Sequence, residues 1–317
     1  NALEHSSYIS SAGNLEGYWR NNGLATWTNL KDPGTNDGAL TGLTETILQQ
    51  AGVDASRDCQ GFLMNRQKDT NSLNLADGLN TVDDVDNITY AAMKDNPLDL
   101  SEDFSVSLWF KPHRFYTSGA QTFIQLNDDD DNHFAISTIG DDNKIGVSIE
   151  TAAGGLSRSI SASGDSTNID EGKWTHVVVC GSSGVSTGNN SATLVDSGAA
   201  WIVDELIGGR VWDDTDEDGA TITDNTATVV TGALSGSGDW DTDDKYTITK
   251  VYVNGSVNTQ TITDSTSMFD GTDLNNTYFI GSDNTAQRQF NGQIDDVICY
   301  QKWLTEAEVK RNYNAGK

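Results

Sequence analysis

The stretch FNGQIDDVICYQKWLTEAEVKRNYNAGK, residues 290–317, encodes a strand that is followed at once by a short helix. The strand is Gln293–Tyr300, in which apolar residues flank a pair of aspartates. Because side chains of an extended strand alternate between two faces, the sequence predicts two sets. One face carries Asp295, Val297 and Cys299, and the other carries Ile294, Asp296, Ile298 and Tyr300. This pattern predicts that the Asp295 carboxylate faces an apolar core.

The helix is predicted from its capping residues. Thr305 is a good N-cap, and Glu308 stands where a glutamate reaches back to the cap in a capping box. Leu304 and Val309 occupy the flanking positions of a hydrophobic staple. We therefore expect a short helix to begin directly after Thr305.

The composition restricts the classes of partner. The 317 residues include 19 basic and 47 acidic ones, for a formal net charge of −28. Such a surface repels nucleic acid and anionic membranes. No apolar run approaches the roughly 18 residues that a membrane span needs. Two interpretations of the acidity stay open: a solvated acidic surface, or carboxylates that hold divalent cations.

Short strand patterns recur along the chain between turns rich in glycine, asparagine and aspartate. The clearest is the strict alternation of Phe104, Val106, Leu108 and Phe110, which Pro112 ends. No helical periodicity intervenes between the strand patterns before residue 290. This organisation is typical of a β-sandwich.

Four segments, taken with residues 290–317, resemble the laminin-G-like, concanavalin-A-like jelly-roll family. They are DFSVSLWFKP (Asp103–Pro112), WTHVVV (Trp174–Val179), KVYVNG (Lys250–Gly255) and YFIGSD (Tyr278–Asp283). The resemblance covers most of residues 15–317 apart from one insertion. It implies an all-β, two-sheet jelly-roll sandwich with a short C-terminal helix.

The insertion separates two strands that a short hairpin joins in the resembled family. We predict an N-terminal arm or linker at residues 1–14, a jelly roll at 15–182 and 250–317, and an inserted β-subdomain at 183–249. The ends of the insertion must lie close together, because the host hairpin must still pair. The inserted segment also resembles a short β module found in bacteriophage and other viral structural proteins.

The resemblance implies a structural calcium ion at Asp295. In the family, the matching aspartate often ligates calcium with groups near the first turn, which here is Asp32–Gly38 and offers Asp32 and Asp37. Carboxylate and carbonyl oxygens are the ligands that calcium prefers. The alternative is that backbone N–H groups satisfy the Asp295 carboxylate without a metal.

A second acidic segment reads D-T-D-E-D-G, with Asp214, Asp216 and Asp218 spaced as at the opening of an EF-hand loop. The twelfth position of such a loop would be Asn225, where a bidentate glutamate is needed. No flanking helices are predicted. An acidic turn is therefore the favoured interpretation, and a weak cation site is the alternative.

The sequence offers little support for catalysis. Concanavalin-A-like glycosidases carry paired carboxylates in an E-x-D-x-x-E strand pattern, which this chain does not contain. His176 alternates with Trp174 and Val178, which favours a core histidine over a general base. Trp109 and Trp174 are expected in the core of the jelly roll, and the tryptophans of the insertion in its own core. We expect no enzyme activity.

The sequence leaves two functional hypotheses open. The first is a surface-exposed virion structural protein, such as a phage capsid decoration, head-fibre or tail-fibre component, with a lectin-like fold and glycan as a candidate ligand. Its partners would be other virion or surface proteins in a larger assembly or homo-oligomer. The alternative is a carbohydrate-binding module of a secreted or cell-surface bacterial protein. Fold-level analogy does not decide between them.

Overall fold

The computed structural model describes the chain in segments, most of them in its C-terminal two thirds. The described residues are 15–19, 26–27, 38–41, 62–64, 90–93, 98, 102–112, 115, 120–127, 133–139, 142–151, 156–161, 169–190, 192–216, 218–234, 238–258, 261–262, 278–283, 288 and 290–315.

Within these residues the chain forms β-strands and one helix. The strands are β1 (Leu15–Trp19), β2 (Thr26–Trp27), β3 (Gly38–Thr41), β4 (Phe62–Met64), β5 (Tyr90–Met93), β6 (Phe104–Pro112), β7 (Thr122–Asn127), β8 (His133–Ile139), β9 (Asp142–Thr151), β10 (Leu156–Ser161), β11 (Thr175–Val185), β12 (Thr193–Val195), β13 (Arg210–Asp213), β14 (Asp218–Thr221), β15 (Asp224–Asn225), β16 (Val229–Thr231), β17 (Lys245–Val253), β18 (Ser256–Asn258), β19 (Thr261–Ile262), β20 (Tyr278–Ile280) and β21 (Gly292–Tyr300). The helix is α1 (Glu306–Ala315).

The strands form two large antiparallel sheets and one small one. Sheet A has the order β1-β21-β6-β11-β17-β13-β14, with β4 paired to β21 and β18 paired to β17. Sheet B has the order β19-β10-β9-β8-β7-β20-β5-β3-β2. The strands β12, β16 and β15 form a third sheet. The prediction of an all-β, two-sheet jelly roll with a short C-terminal helix is confirmed.

The inner core contains side chains of both large sheets. Phe110 of sheet A stacks on Phe123 of sheet B with ring centroids 4.2 Å apart. Phe104 of sheet A meets Phe134 of sheet B edge to face at 5.5 Å. All four rings are fully buried. The alternation that predicted the strand at residues 104–110 therefore marks one side of the sandwich core.

A second apolar core covers the other face of sheet A. That face contributes Val178, Ile248, Tyr252, Ile298 and Tyr300, all nearly or fully buried. The insertion covers it with Leu194, Trp201, Leu206, Ile222, Val230 and Trp240, and the C-terminal segment adds Trp303, Leu304 and Val309. The central strands of sheet A are thus buried on both faces, like the strands of a layered α/β protein rather than those of an open sandwich.

The insertion leaves and re-enters the host through one long hairpin. The strands β11 and β17 pair without interruption from Val177↔Val253 to Val185↔Lys245. Residues 183–185 and 245–249, which we assigned to the insertion, are therefore part of the host hairpin. Strand β13 of the insertion pairs with β17 and extends sheet A. The division of the chain into two domains stays a prediction.

The C-terminal helix begins as its sequence predicts. The Glu308 N–H donates to Thr305 Oγ1 at 3.3 Å, and the Thr305 N–H donates to Glu308 Oε2 at 2.9 Å. These two bonds form the predicted capping box. Leu304 and Val309 are both fully buried in the second core. In the part of the chain that the structure describes, no helix has the length and apolar character to cross a membrane.

Replacing residues 187–243 with an Asn-Gly turn tests whether the insertion is a structural layer. The host strands would still pair up to Ser186 and Asp244, and Asn-Gly suits a two-residue hairpin. We expect a loss of several kcal/mol and a fall of roughly 10 °C or more in melting temperature, because the outer face of sheet A loses its cover. Calorimetry measures this.

The control is Val203→Ser on the insertion, where the native side chain is 59% exposed and a change within about 0.5 kcal/mol is expected. An unchanged melting temperature in the deletion would mean that the insertion is an independent appendage.

Candidate functional site

The strand that carries Asp295 contains a β-bulge. Its register against β6 runs Ile294↔Phe110 and Asp295↔Trp109, and then shifts before Ile298↔Ser107. Asp296 has a φ of +47°, a left-handed conformation that aspartate adopts more readily than most residues. One extra residue in the strand changes the phase of its alternation.

The bulge overturns the predicted faces of this strand. Ile294 lies in the inner core with Val297 and Cys299, not on the opposite face from them. Asp295 pairs with Trp109, whose indole stacks on the Tyr313 ring of α1 at 5.7 Å. The predicted placement of Asp295 in strict alternation with Val297 is therefore wrong, because the bulge separates them.

Both aspartates of the bulge are buried at 1% exposure. The Asp296 N–H donates to Asp295 Oδ1 at 2.9 Å. A pair of buried carboxylates supplies the hard oxygen donors that calcium prefers, so the donor chemistry fits the ion that the family resemblance implies. Asp32 and Asp37, the other predicted ligands, lie outside the described residues. Calcium at Asp295 therefore stays a prediction.

The acidic segment of the insertion forms the turn between β13 and β14. Asp214 Oδ2 accepts from the Thr247 hydroxyl at 3.1 Å, Asp216 Oδ2 from the Asp239 N–H at 3.2 Å, and Asp218 Oδ1 from its neighbour Gly219 N–H at 2.7 Å. The three carboxylates thus have three separate partners. Across the described ranges, no three His, Cys, Asp or Glu side chains are grouped so that they could hold a metal.

Asp213, which the sequence analysis did not single out, is the most buried carboxylate of this turn, at 0% exposure. Its Oδ1 accepts from the backbone N–H groups of Thr215 and Asp216 at 2.9 and 3.0 Å. Its Oδ2 is buried and has no hydrogen-bond partner. Burial is the main cause that raises the pKa of Asp213 to about 6; the Asp244 and Asp216 carboxylates contribute to the rise, and the two hydrogen bonds oppose it. Its alternation with the core residue Val211 is the sequence signal that points to this burial.

A buried lysine connects the insertion, the host sheet and α1. Lys250 is 1% exposed, and its Nζ donates to the Glu205 carbonyl oxygen at 2.6 Å. Glu205 Oε1 accepts from the Tyr252 hydroxyl at 3.3 Å and from the Glu306 N–H in the first turn of α1 at 2.5 Å. Burial lowers the pKa of Lys250, and the nearby Glu205 opposes that shift. The Glu205 carboxylate thus lies at the N-terminus of α1, which is the positive end of the helix dipole.

Two side chains of the host sheet that could act as a nucleophile and a base, Cys180 and His176, are buried. Cys180 pairs with Lys250 across β11 and β17. Burial raises the pKa of its thiol to about 12, so the reactive thiolate is not formed at neutral pH. His176 is 1% exposed, shares a 2.9 Å hydrogen bond between its Nε2 and Ser107 Oγ, and packs on Trp109. The prediction that His176 is buried is confirmed.

The tryptophans whose burial the structure describes do not form an exposed stacking platform. Trp109, Trp201, Trp212, Trp240 and Trp303 are buried and Trp174 is half-buried. Trp212 lies in the inner core, whereas Trp201 and Trp240 lie in the second core beside host residues. The expectation that the insertion tryptophans form a core of its own is therefore wrong.

Comparison with known proteins places this fold in a family. The sequence model of the concanavalin A-like lectin/glucanases superfamily (Laminin_G_3) matches residues 86–194 and residues 185–310. No curated protein matches the chain.

Several solved structures resemble the chain at low identity. The binding domain of botulinum neurotoxin serotype D/C is 12% identical with a TM-score of 0.51, and the alignment covers 97% of this chain and 53% of that one. The binding domain of Paraclostridial Mosquitocidal Protein 1 is 14% identical with a TM-score of 0.49, covering 96% and 52%. Domain 4 of AbnA, a GH43 extracellular arabinanase from Geobacillus stearothermophilus, in complex with arabinotriose, is 15% identical with a TM-score of 0.45, covering 94% and 98%. The chain spans about half the length of the two toxin binding domains.

Removing calcium tests the predicted ion at Asp295. An ion that binds only the folded chain adds roughly 2.7 kcal/mol at a concentration of 100 times its dissociation constant. We expect EGTA to lower the melting temperature, and Asp295→Asn to reduce this response without loss of the fold. Calorimetry with and without EGTA provides the measurement. If Asp295→Asn responds to EGTA as the wild type does, hydrogen bonds alone satisfy Asp295.

Truncating Glu205 tests the network around Lys250. Glu205→Ala leaves the Glu306 N–H and the Tyr252 hydroxyl without their acceptor, which should cost about 1–3 kcal/mol in urea unfolding. Glu205→Gln keeps an acceptor and should cost less. Glu102→Ala, at an exposed position, is the matched control. Equal stabilities of Glu205→Ala and Glu102→Ala would show that the network contributes nothing.

Proposed function

The chain belongs to the concanavalin A-like lectin/glucanases superfamily, and we propose that it is a non-enzymatic glycan-binding protein displayed on a virion surface. The observation that carries the binding part of the proposal is the family match across residues 86–310, together with the two-sheet fold. The superfamily contains both lectins and glycan hydrolases, so the choice between them depends on the chemistry of this chain.

The non-enzymatic part is supported by the buried ionisable groups. Glycoside hydrolysis in such folds needs two carboxylates that flank the scissile bond and reach the substrate. The most buried carboxylates described here are Asp213, Asp295 and Asp296. Asp213, at the end of β13, accepts a hydrogen bond from the Thr215 N–H, and Asp295, in the bulge, accepts one from the Asp296 N–H. Cys180 and His176 are enclosed in the core. These contacts favour a structural role for these groups.

The buried tryptophans affect the expected mode of glycan recognition. Sugar sites often combine an apolar or aromatic surface with a few polar groups that fix orientation. The large exposed apolar side chains in the described segments are aliphatic: Val185, Ile202, Val203, Ile207 and Val257. We therefore expect hydrogen bonding from Asp, Asn, Ser and Thr side chains of the loops to dominate recognition by the described part of the chain.

The virion assignment is supported by two features of the sequence. The insertion resembles a β module of bacteriophage structural proteins. The net charge of −28 keeps densely displayed copies from associating non-specifically. The expected partners are other virion proteins and, on the exposed side, cell-surface glycans.

A glycan array followed by titration calorimetry tests the binding function. We expect saturable binding to at least one class of oligosaccharide, with heat-denatured protein as the control. No reducing sugar should be released from that ligand. Failure to bind any glycan would refute the binding part. If sugar is released, and a single Asp→Asn or Glu→Gln change abolishes that release, the non-enzymatic part is refuted.

Peptide mass spectrometry of purified virus particles from the source culture tests the location. We expect this chain in the particle fraction and accessible to surface biotinylation. Its recovery only with secreted or cell-wall proteins would favour a carbohydrate-binding module of a bacterial surface protein instead.

A further inference from the structure

We propose that the turn between β13 and β14 binds a calcium ion through the carboxylates of Asp213 and Asp244. The site lies among residues 213–216, 218, 241 and 244. The proposal is independent of the glycan-binding function, and its two principal ligands, Asp213 and Asp244, are not among the Asp214, Asp216 and Asp218 set that the EF-hand-like spacing suggests.

One carboxylate oxygen of Asp213 is unsatisfied. The residue is fully buried, and its Oδ1 is engaged by two backbone N–H groups. Its Oδ2 is also buried but has no hydrogen-bond partner. A buried polar atom without a partner carries a free-energy cost, which is larger when the group is charged. A cation in contact with Oδ2 would remove that cost.

Asp244 stands just before β17, which pairs with β13. Asp213 pairs with Tyr246 in the β13–β17 register, and the Asp214 N–H donates to the Lys245 carbonyl oxygen at 2.8 Å. These contacts bring Asp244, the residue before β17, beside the end of β13. Asp244 is 6% exposed, and its Oδ2 accepts from the Asp241 N–H at 2.5 Å. Backbone pairing therefore places Asp244 beside the end of β13, and the charge of Asp244 acts on Asp213.

Asp213 and Asp244 have no neutralising ion pair among the described residues. The charged groups that act most on Asp213 are Asp244 and Asp216, which are also acidic. The negative charge of Asp241 acts on Asp244 in the same way. Like charges that are buried side by side need a counter-ion or a shared proton.

Calcium is the ion that this chemistry fits. All the candidate donors are oxygens, and calcium accepts six to eight oxygen ligands in flexible geometry, including water and backbone carbonyls. The described residues hold no ready group of three carboxylates. Two carboxylates completed by water and the exposed Asp216 side chain suit calcium better than the strict octahedron of magnesium. The ion would fasten the β13–β14 turn to the start of β17.

Terbium, which replaces calcium and is excited by nearby tryptophan, is the probe for the first experiment. The full chain is stripped with EGTA, titrated with terbium, and then competed with calcium. We expect Asp213→Asn to weaken binding at this site by at least about tenfold, because it removes one ligand charge. The Asn side chain keeps the Oδ1 acceptor for Thr215 and Asp216, so the turn is preserved.

The controls separate this site from others. Asp224→Asn, on the exposed surface of the insertion, should bind terbium as the wild type does. Asp295→Asn should also retain the binding that Asp213→Asn loses. Should Asp213→Asn fail to fold, Asp244→Asn provides the same test. Unchanged affinity in the folded variant would overturn the proposal. So would a wild-type chain that binds no calcium at millimolar concentration, since the two carboxylates would then share a proton.

Discussion

Sheet A has apolar side chains on both faces, and the rest of the structure follows from the need to cover each face. On β11, Val177 and Val179 point into the sandwich while Val178 and Cys180 point away from it, and all four are fully buried. Sheet B covers the first face. The insertion and α1 cover the second. A sheet with one uncovered face of this kind would expose a large apolar surface, which folded chains avoid.

The covering layer is held by polar contacts as well as by packing. Glu205 of the insertion accepts hydrogen bonds from the first turn of α1 and from Tyr252 of sheet A, and Lys250 donates to its backbone. A buried lysine is expensive unless its charge and its donors are satisfied. The network therefore specifies how three parts of the chain meet, while the hydrophobic contacts provide most of the stabilisation.

The sequence predicts the elements whose signals are local. The capping box at Thr305 and Glu308, the alternation in β6 and the family of the fold are all found where the residues indicate. The bulge at Asp295–Asp296 was missed because it depends on the left-handed backbone of Asp296, and no glycine marks that position. Asp213 was missed because the spacing of its neighbours suggested an EF-hand loop, whereas its burial depends on long-range pairing with β17. The shared second core is equally non-local: its residues come from the insertion, the host strands and the C-terminal segment.

Native-state hydrogen exchange is the most direct measurement of whether the insertion is an integral layer of this fold. The account predicts that the slowest amides of β13, β17 and α1 exchange through one cooperative opening, with the same free energy and the same dependence on denaturant. Exchange of β13 and α1 through a separate opening of lower free energy, while β17 stays protected, would contradict it.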